Sequence, residues 1–235
     1  MKLTLSNREQ VAEGTMAFLL TPERALRFAA GQFGEFTLTD PPHEDGKGNT
    51  RTLSLASSPN DHEVMIAMRM RDSAFKNSLK EVPLGTTVDM MGPMGGLTLH
   101  KDSKRPAVFL TGGIGITPVR SIAKHATEER LPHRIVVLYS NRTRALSAFI
   151  DEFETWSRTN PNLSFVPTLT NEEPPGWPFE LGIIDEAMVR RHVSDLEAPI
   201  YYVVGPPGMV AAMRELLEMV GVDEMQIKTE DFAGY

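Results

Sequence analysis

The segment Val108-Phe109-Leu110-Thr111-Gly112-Gly113-Ile114-Gly115-Ile116-Thr117-Pro118 constrains the fold of this chain more than any other. A short apolar run ends in a glycine-rich turn, and a helix opens behind it with Thr117 as its expected cap and Pro118 at its first position. Such a unit aims free backbone N–H groups and the positive end of a helix at an anion, with no side chain in the way. A pyrophosphate matches that geometry. The spacing departs from G-x-G-x-x-G, because Pro118 stands where the third glycine would be. The next strand ends Ser140-Asn141-Arg142, so the acidic ribose grip of the usual dinucleotide fingerprint is missing.

Glycines after a strand are often no more than a tight turn, and the surrounding pattern decides between the readings. From Ala107 onward, apolar strands are expected at 107–110, 135–139, 164–168, 200–204 and 225–228, with helices at 118–126, 145–158, 184–192 and 209–220. This alternation predicts a parallel sheet covered by helices on both faces. A second turn, Gly205-Pro206-Pro207-Gly208-Met209, falls at the carboxyl end of another strand of that sheet, where open α/β sheets bind ligands.

The first hundred residues read differently. Short β-prone runs at 3–11, 15–20, 33–38, 51–56, 64–70 and 87–91 are separated by Gly, Pro, Asn and Asp, the spacing of a sandwich or barrel. Val64, Ile66, Met68 and Met70 alternate with Met65, Ala67, Arg69 and Arg71, so one face is expected to be buried, with methionine as core filler. One helix is expected at 74–82, and Pro41 to Asn49 reads as a polar loop. The charged stretch Lys101 to Pro106 makes a hinge, which predicts an antiparallel β-barrel domain over 1–102 and an α/β parallel-sheet domain over 103–235. In the run 51–56, Arg51 and Leu53 share one face, and Thr52 and Ser54 the other. Arg51 has the fork to grip a pyrophosphate and Ser54 a hydroxyl to bond a ring nitrogen. An exposed Arg and an edge-strand Ser account for this segment, taken by itself, at least as well.

Composition removes several classes of function. The 235 residues include no cysteine, which excludes disulfides, a thiol nucleophile, an all-cysteine zinc site and an in-chain iron–sulfur cluster. Any one-electron carrier is then another molecule. A net charge of −7 without a basic block argues against nucleic acid. No run approaches 18 uncharged apolar residues, and Met1-Lys2-Leu3-Thr4-Leu5 does not open a secretory signal, so no membrane span and a cytoplasmic location are expected. No G-x-S-x-G, H-E-x-x-H or P-loop supports a hydrolase or kinase. His43, His62 and His133 are expected in exposed loops, and no metal site is expected.

Taken in order, Gly31-Gln32-Phe33, Arg51-Thr52-Leu53-Ser54, Gly92-Pro93-Met94-Gly95, Gly112 to Pro118, Gly205 to Met209 and Glu230-Asp231-Phe232-Ala233-Gly234-Tyr235 resemble the ferredoxin–NADP reductase superfamily over essentially the whole chain. The resemblance implies a Greek-key FAD-binding barrel followed by a nicotinamide-nucleotide domain. It implies an FAD-dependent oxidoreductase that passes hydride from NADH or NADPH to the flavin. Electrons then go to a separate acceptor: a ferredoxin, another redox protein, or a small molecule such as free flavin or quinone. By the same resemblance Arg51 binds the FAD pyrophosphate, Ala74, Phe75 and Lys76 offer backbone N–H groups to the FAD phosphates, and Thr52 and Leu53 adjoin the flavin with Ser54 near N5. Thr111, Gly112, Gly113, Gly115 and Thr117 would cradle the nicotinamide nucleotide's pyrophosphate, while Gly205, Pro206 and Met209 flank the nicotinamide. Glu230 and Phe232 match the family's acid and aromatic, with Phe232 covering the isoalloxazine face until nicotinamide displaces it. Ser54, Glu230 and Phe232 form the implied catalytic group.

The chain departs from the family pattern in three places. Leu53 replaces a usual tyrosine, Val204 replaces a frequent cysteine, and Tyr235 extends past the flavin-covering position as a rival to Phe232. NADPH-specific members carry a Ser-Arg pair where this chain reads Leu169-Thr170-Asn171-Glu172-Glu173, and two carboxylates there would repel a 2′-phosphate. That favours NADH, with Arg142 or Arg144 as the cations that would reach the ribose from the preceding loop. The alternative is a flavin-binding electron-relay or redox-sensing subunit of a larger complex. Relay subunits of this superfamily usually carry a cysteine-ligated cluster domain, which this cysteine-free sequence cannot form.

Overall fold

A computed structural model describes residues 1–232. β1 (Lys2–Ala12), β2 (Thr15–Pro22), β3 (Phe33–Leu38), β4 (Thr50–Ser54), β5 (Val64–Arg69) and β6 (Thr87–Met94) form an antiparallel sheet in the order β4-β3-β6-β1-β2-β5, with α1 (Ala74–Glu81) inserted before β6. Period-two alternation sends Leu3, Leu5, Phe18, Leu20, Phe36 and Ile66 into one core. Each such side chain contributes about 1.5–3 kcal/mol by leaving water. The sheet curls until its edges approach, and Ala56, just past β4, donates its N–H to Met65 O of β5 at 2.7 Å. The result is the half-barrel expected from the short, turn-bounded runs.

β7 (Ala107–Gly112), β8 (Ile135–Asn141), β9 (Leu163–Leu169), β10 (Glu180–Leu181), β11 (Ile200–Gly205) and β12 (Ile227–Asp231) make a fully parallel sheet in the order β10-β9-β8-β7-β11-β12. The central strands β7 and β11 are buried along their whole length, as continuous apolar runs covered on both faces must be. α2 (Ile116–Glu128), α3 (Ile150–Thr159), α4 (Glu186–His192) and α5 (Pro207–Met219) supply the cover.

Several boundaries differ from the sequence expectation. α3 starts at Ile150 rather than near Ala145, because Phe149 adopts a left-handed conformation (φ +61°) and Ser147 closes a turn back onto Arg144 O. Thr117 is no cap. The turn Gly113–Gly115 runs straight into α2 at Ile116, and the Thr117 hydroxyl donates to Ile114 O at 2.9 Å. His133 is buried rather than exposed, its Nε2 lying 2.8 Å from His100 O. His62 is exposed, and His43 is half-buried beside Glu81 at 2.7 Å.

The two sheets are bolted together. Ala17, Ala30, Ala67 and Leu97 of the half-barrel share one apolar core with Ile116, Val119, Ile122 and Ala123 from α2. Around it Arg120 donates to Ala56 O at 2.7 Å and Ser121 to Ser57 O at 2.6 Å. Lys124 meets Asp61 at 2.5 Å, and Ser58 donates to Glu128. Among the described residues no helix is long and apolar enough to cross a membrane.

Candidate functional site

The carboxyl ends of β7, β8, β9 and β11 open into a cavity of about 270 Å³, whose wall includes Gly112, Gly113, Asn141, Gly205, Pro206 and Met209. Both sequence turns therefore face one space. Gly113 takes φ +55°, a backbone region that side chains disfavour, and Tyr139 anchors it by donating to Gly113 O at 3.1 Å. At Gly115 the constraint is proximity: a Cβ there would lie 2.4 Å from Val204 O, so only glycine lets α2 start this close to β11. Met209 and Pro206 lie over Gly112. The Thr111 hydroxyl and the Asn141 amide nitrogen are buried without a partner in this structure. Orphaned polar atoms cost about 1–3 kcal/mol each, and of these two residues only Asn141 lines the cavity, where a polar ligand would give its amide a partner.

A second cavity of about 630 Å³ lies where the half-barrel meets the end of β12. Thr52 and Ser54 of β4 border it on one side, and Lys228, Glu230 and Phe232 on the other. Ser54 is 6% exposed, and its Oγ has no partner. Burial, reinforced by the negative charge of Asp231, pushes the Glu230 carboxyl up to about 7. Burial also lowers the Lys228 ammonium, which donates to Thr98 O at 3.3 Å and sits over the Tyr202 ring. Phe232 borders both cavities, with its N–H donated to Gly205 O at 3.0 Å. The aromatic thus stands at the junction of the two spaces.

The third group lies at the start of α1. Arg51 rests 5.4 Å from the Phe75 ring centre and donates to the carbonyls of Lys47, Gly48 and Thr50. Lys76 donates to Arg69 O at 2.8 Å, and burial, with the charges of Arg71 and Arg51 beside it, lowers its ammonium to about 8.

Not every residue singled out in the sequence reaches a cavity. Leu53 points into the half-barrel core, and Thr117 is buried within α2. Tyr235 lies outside the described residues. Conversely, Arg69 and Arg71 of the half-barrel line the cavity at the carboxyl ends of the parallel strands, and Arg69 reaches Asn141 Oδ1 and Leu146 O, both at 3.3 Å. The position of Arg69 on the face of β5 opposite Val64, Ile66 and Met68 was the available signal, and Arg71 follows just past the strand's end.

Residues 109–215 match the family model described as the oxidoreductase NAD-binding domain. The NAD(P)H-flavin reductase of Aliivibrio fischeri is 27% identical, over 96% of this chain and 93% of that protein. Among solved structures, the FAD/NAD-binding domain of a nitric oxide dioxygenase from Vibrio cholerae aligns with a TM-score of 0.87 at 20% identity, covering 98% of each chain. A ferredoxin NADP+ reductase from Neisseria gonorrhoeae, solved with FAD and NADP, aligns at 0.79 and 19% identity, again covering 98% of each. The chain has the fold of these FAD- and nicotinamide-binding reductase domains. The curated relatives it matches differ widely in length, and the chain spans about half of some of them. In ferredoxin–NADP reductase terms, the half-barrel and the parallel sheet are the fold's two layers, and the cavities lie along the cleft between them.

Proposed function

We propose that this chain is an FAD-dependent oxidoreductase that takes hydride from NADH and delivers electrons to a separate acceptor. The observation that carries the reading is Phe232 bordering both cavities, so that a ring bound beside Ser54 and a ring bound beside Gly205 would meet where Phe232 now stands. We further propose that residues 1–102 hold the flavin and 103–235 the nicotinamide nucleotide. The Aliivibrio relative, named an NAD(P)H-flavin reductase and of nearly the same length, supports this pairing.

When bound, the flavin supplies a hydride acceptor and a means of releasing electrons singly or in pairs. The remaining tasks fall to the chain. Ser54 offers its unpartnered hydroxyl to the flavin ring. Glu230, its carboxyl raised to about 7, is part-protonated at neutral pH and can pass a proton to a reduced acceptor. The Gly113 turn and the α2 start receive a pyrophosphate, Arg69 adds positive charge from the opposite wall, and Met209 flanks the nicotinamide. Phe232 would shield a flavin ring bound beside Ser54 from water and would have to give way to a nicotinamide entering from the other cavity.

NADH is preferred because the residues after β9 are acidic and one of the two nearby cations is spent. Arg144 is held by Asp151 at 2.8 Å and Glu154 at 3.6 Å, while Glu172 accepts from the Arg144 backbone N–H. Of these two loop arginines, Arg142 is the one left to meet a 2′-phosphate. The acceptor is a redox protein or small molecule outside these 235 residues, which without cysteine hold no iron–sulfur cluster. Stopped-flow mixing of flavin-loaded protein with NADH and NADPH in parallel tests the reading. Bleaching within milliseconds by NADH supports it, and stable flavin binding without reduction by either nucleotide overturns it.

A further inference from the structure

The start of α1 is already occupied by an anion of the chain's own. Asp45, from the loop between β3 and β4, accepts a hydrogen bond from Ala74 N at 3.0 Å through Oδ2 and from Lys47 N at 3.0 Å through Oδ1. Its Oδ2 is 3.9 Å from Arg51 Nη2. These contacts hold the Asp45 carboxyl below its ordinary range, the Ala74 N–H contributing most. Ser73, the residue placed to cap α1, does not do so, and its buried hydroxyl has no partner. Positive charge is concentrated here as well, with Arg51 and Arg71 both close enough to disfavour the charged form of Lys76. A helix end, cations and an idle hydroxyl make an anion site, and a side-chain carboxylate fills it. The adjoining cavity of about 420 Å³, beside Phe75, carries Glu44 in addition to Asp45.

We propose that Asp45 is a specificity-determining residue: it competes with the flavin's phosphates for α1 and Arg51, so that flavin is recognised chiefly by its ring and exchanges as a substrate. This rests on the flavin reading above and deepens it. A phosphorylated flavin must displace Asp45 and then lie beside Glu44, whereas riboflavin makes no such demand. The competition is electrostatic, so neutralising one carboxylate shifts it without rebuilding the site.

The test is binding of FAD and of riboflavin, followed by flavin fluorescence, to the wild-type protein, Asp45→Asn and Asp45→Ala at one ionic strength. Asp45→Asn keeps an acceptor for Ala74 N–H and guards against simple loss of the α1 cap. The expected result is FAD affinity rising about tenfold in both variants, with riboflavin affinity within about twofold of wild type, as befits one charge-assisted contact at a partly exposed helix end. An unchanged or lowered ratio of FAD to riboflavin affinity overturns the proposal while leaving the flavin reading intact. Weakening of both ligands together assigns Asp45 a purely structural role and also overturns it. Absence of saturable flavin binding in all three proteins overturns this proposal and the flavin reading together.

Discussion

Arg120 of α2 donates from Nη1 to the carbonyl oxygen of Ala56 at 2.7 Å, a bond that runs from the parallel-sheet layer into the strap closing the half-barrel. The same guanidinium meets Glu152 at 2.7 Å and lies 4.8 Å from the Phe149 ring centre, with Arg120 only 5% exposed. One side chain therefore ties α2, α3 and the half-barrel together. Arg120→Ala leaves a buried carbonyl without its partner and is expected to lower stability by about 2–3 kcal/mol. Urea denaturation checks this, and an unchanged midpoint would show that the apolar interface holds the layers without it.

Two glycines near the nucleotide turns respond in opposite ways. Gly115→Ala forces a Cβ to within 2.4 Å of Val204 O and 2.8 Å of Val204 C, backbone atoms of a central strand that cannot move aside. The expected cost is about 3 kcal/mol, with weakened NADH binding. Gly208→Ala meets nothing within 4 Å and lies in the first turn of α5, so it should be neutral or stabilise by up to about 1 kcal/mol. Thermal melts of the two variants side by side decide the matter.

Ser54 separates function from stability. Its hydroxyl is buried and unpartnered, so Ser54→Ala should leave the melting temperature unchanged or raise it slightly. The rate of flavin reduction by NADH should fall about 10- to 100-fold if that hydroxyl bonds the flavin ring. Equal reduction rates in a normally folded variant would remove Ser54 from the site.

Glu230 carries a pH signature. Its carboxyl, raised to about 7, keeps its proton in the folded protein while the unfolded chain releases it near 4.5. The folded state thus binds more protons within that window, and stability falls as pH rises through it, levelling off above about 7. Denaturation midpoints at about pH 5 and about pH 8 should drop more for wild type than for Glu230→Gln. Turnover that depends on the protonated acid should decline with an apparent pKa near 7 and lose that inflection in Glu230→Gln.

The sequence by itself determined what depends on neighbours along the chain. The period-two runs specify β1 to β6, the unbroken apolar runs at 107–110 and 200–204 specify buried parallel strands, and the turns at Gly113 and Gly205 declare themselves because each needs backbone free of a side chain. Gly112, Gly113, Gly205 and Met209 were legible as candidates for that reason. Thr52, Ser54, Glu230 and Phe232 stood out only through the resemblance of the ordered motifs to a known family, and all eight border two adjoining cavities.

Tertiary structure decided the rest, because its causes lie far apart in sequence. Arg69 meets Asn141 across 72 residues, and periodicity could say that it left the barrel core but not what it would face. α3 loses its expected first turn when Phe149, buried beneath Arg120, takes a left-handed backbone. His133 is drawn inward by a carbonyl 33 residues away. Asp45 is the clearest case. In the sequence it is one acid in a polar loop, and only folding brings it 29 residues along to the end of α1, where unsatisfied N–H groups and a neighbouring guanidinium give a carboxylate somewhere to go.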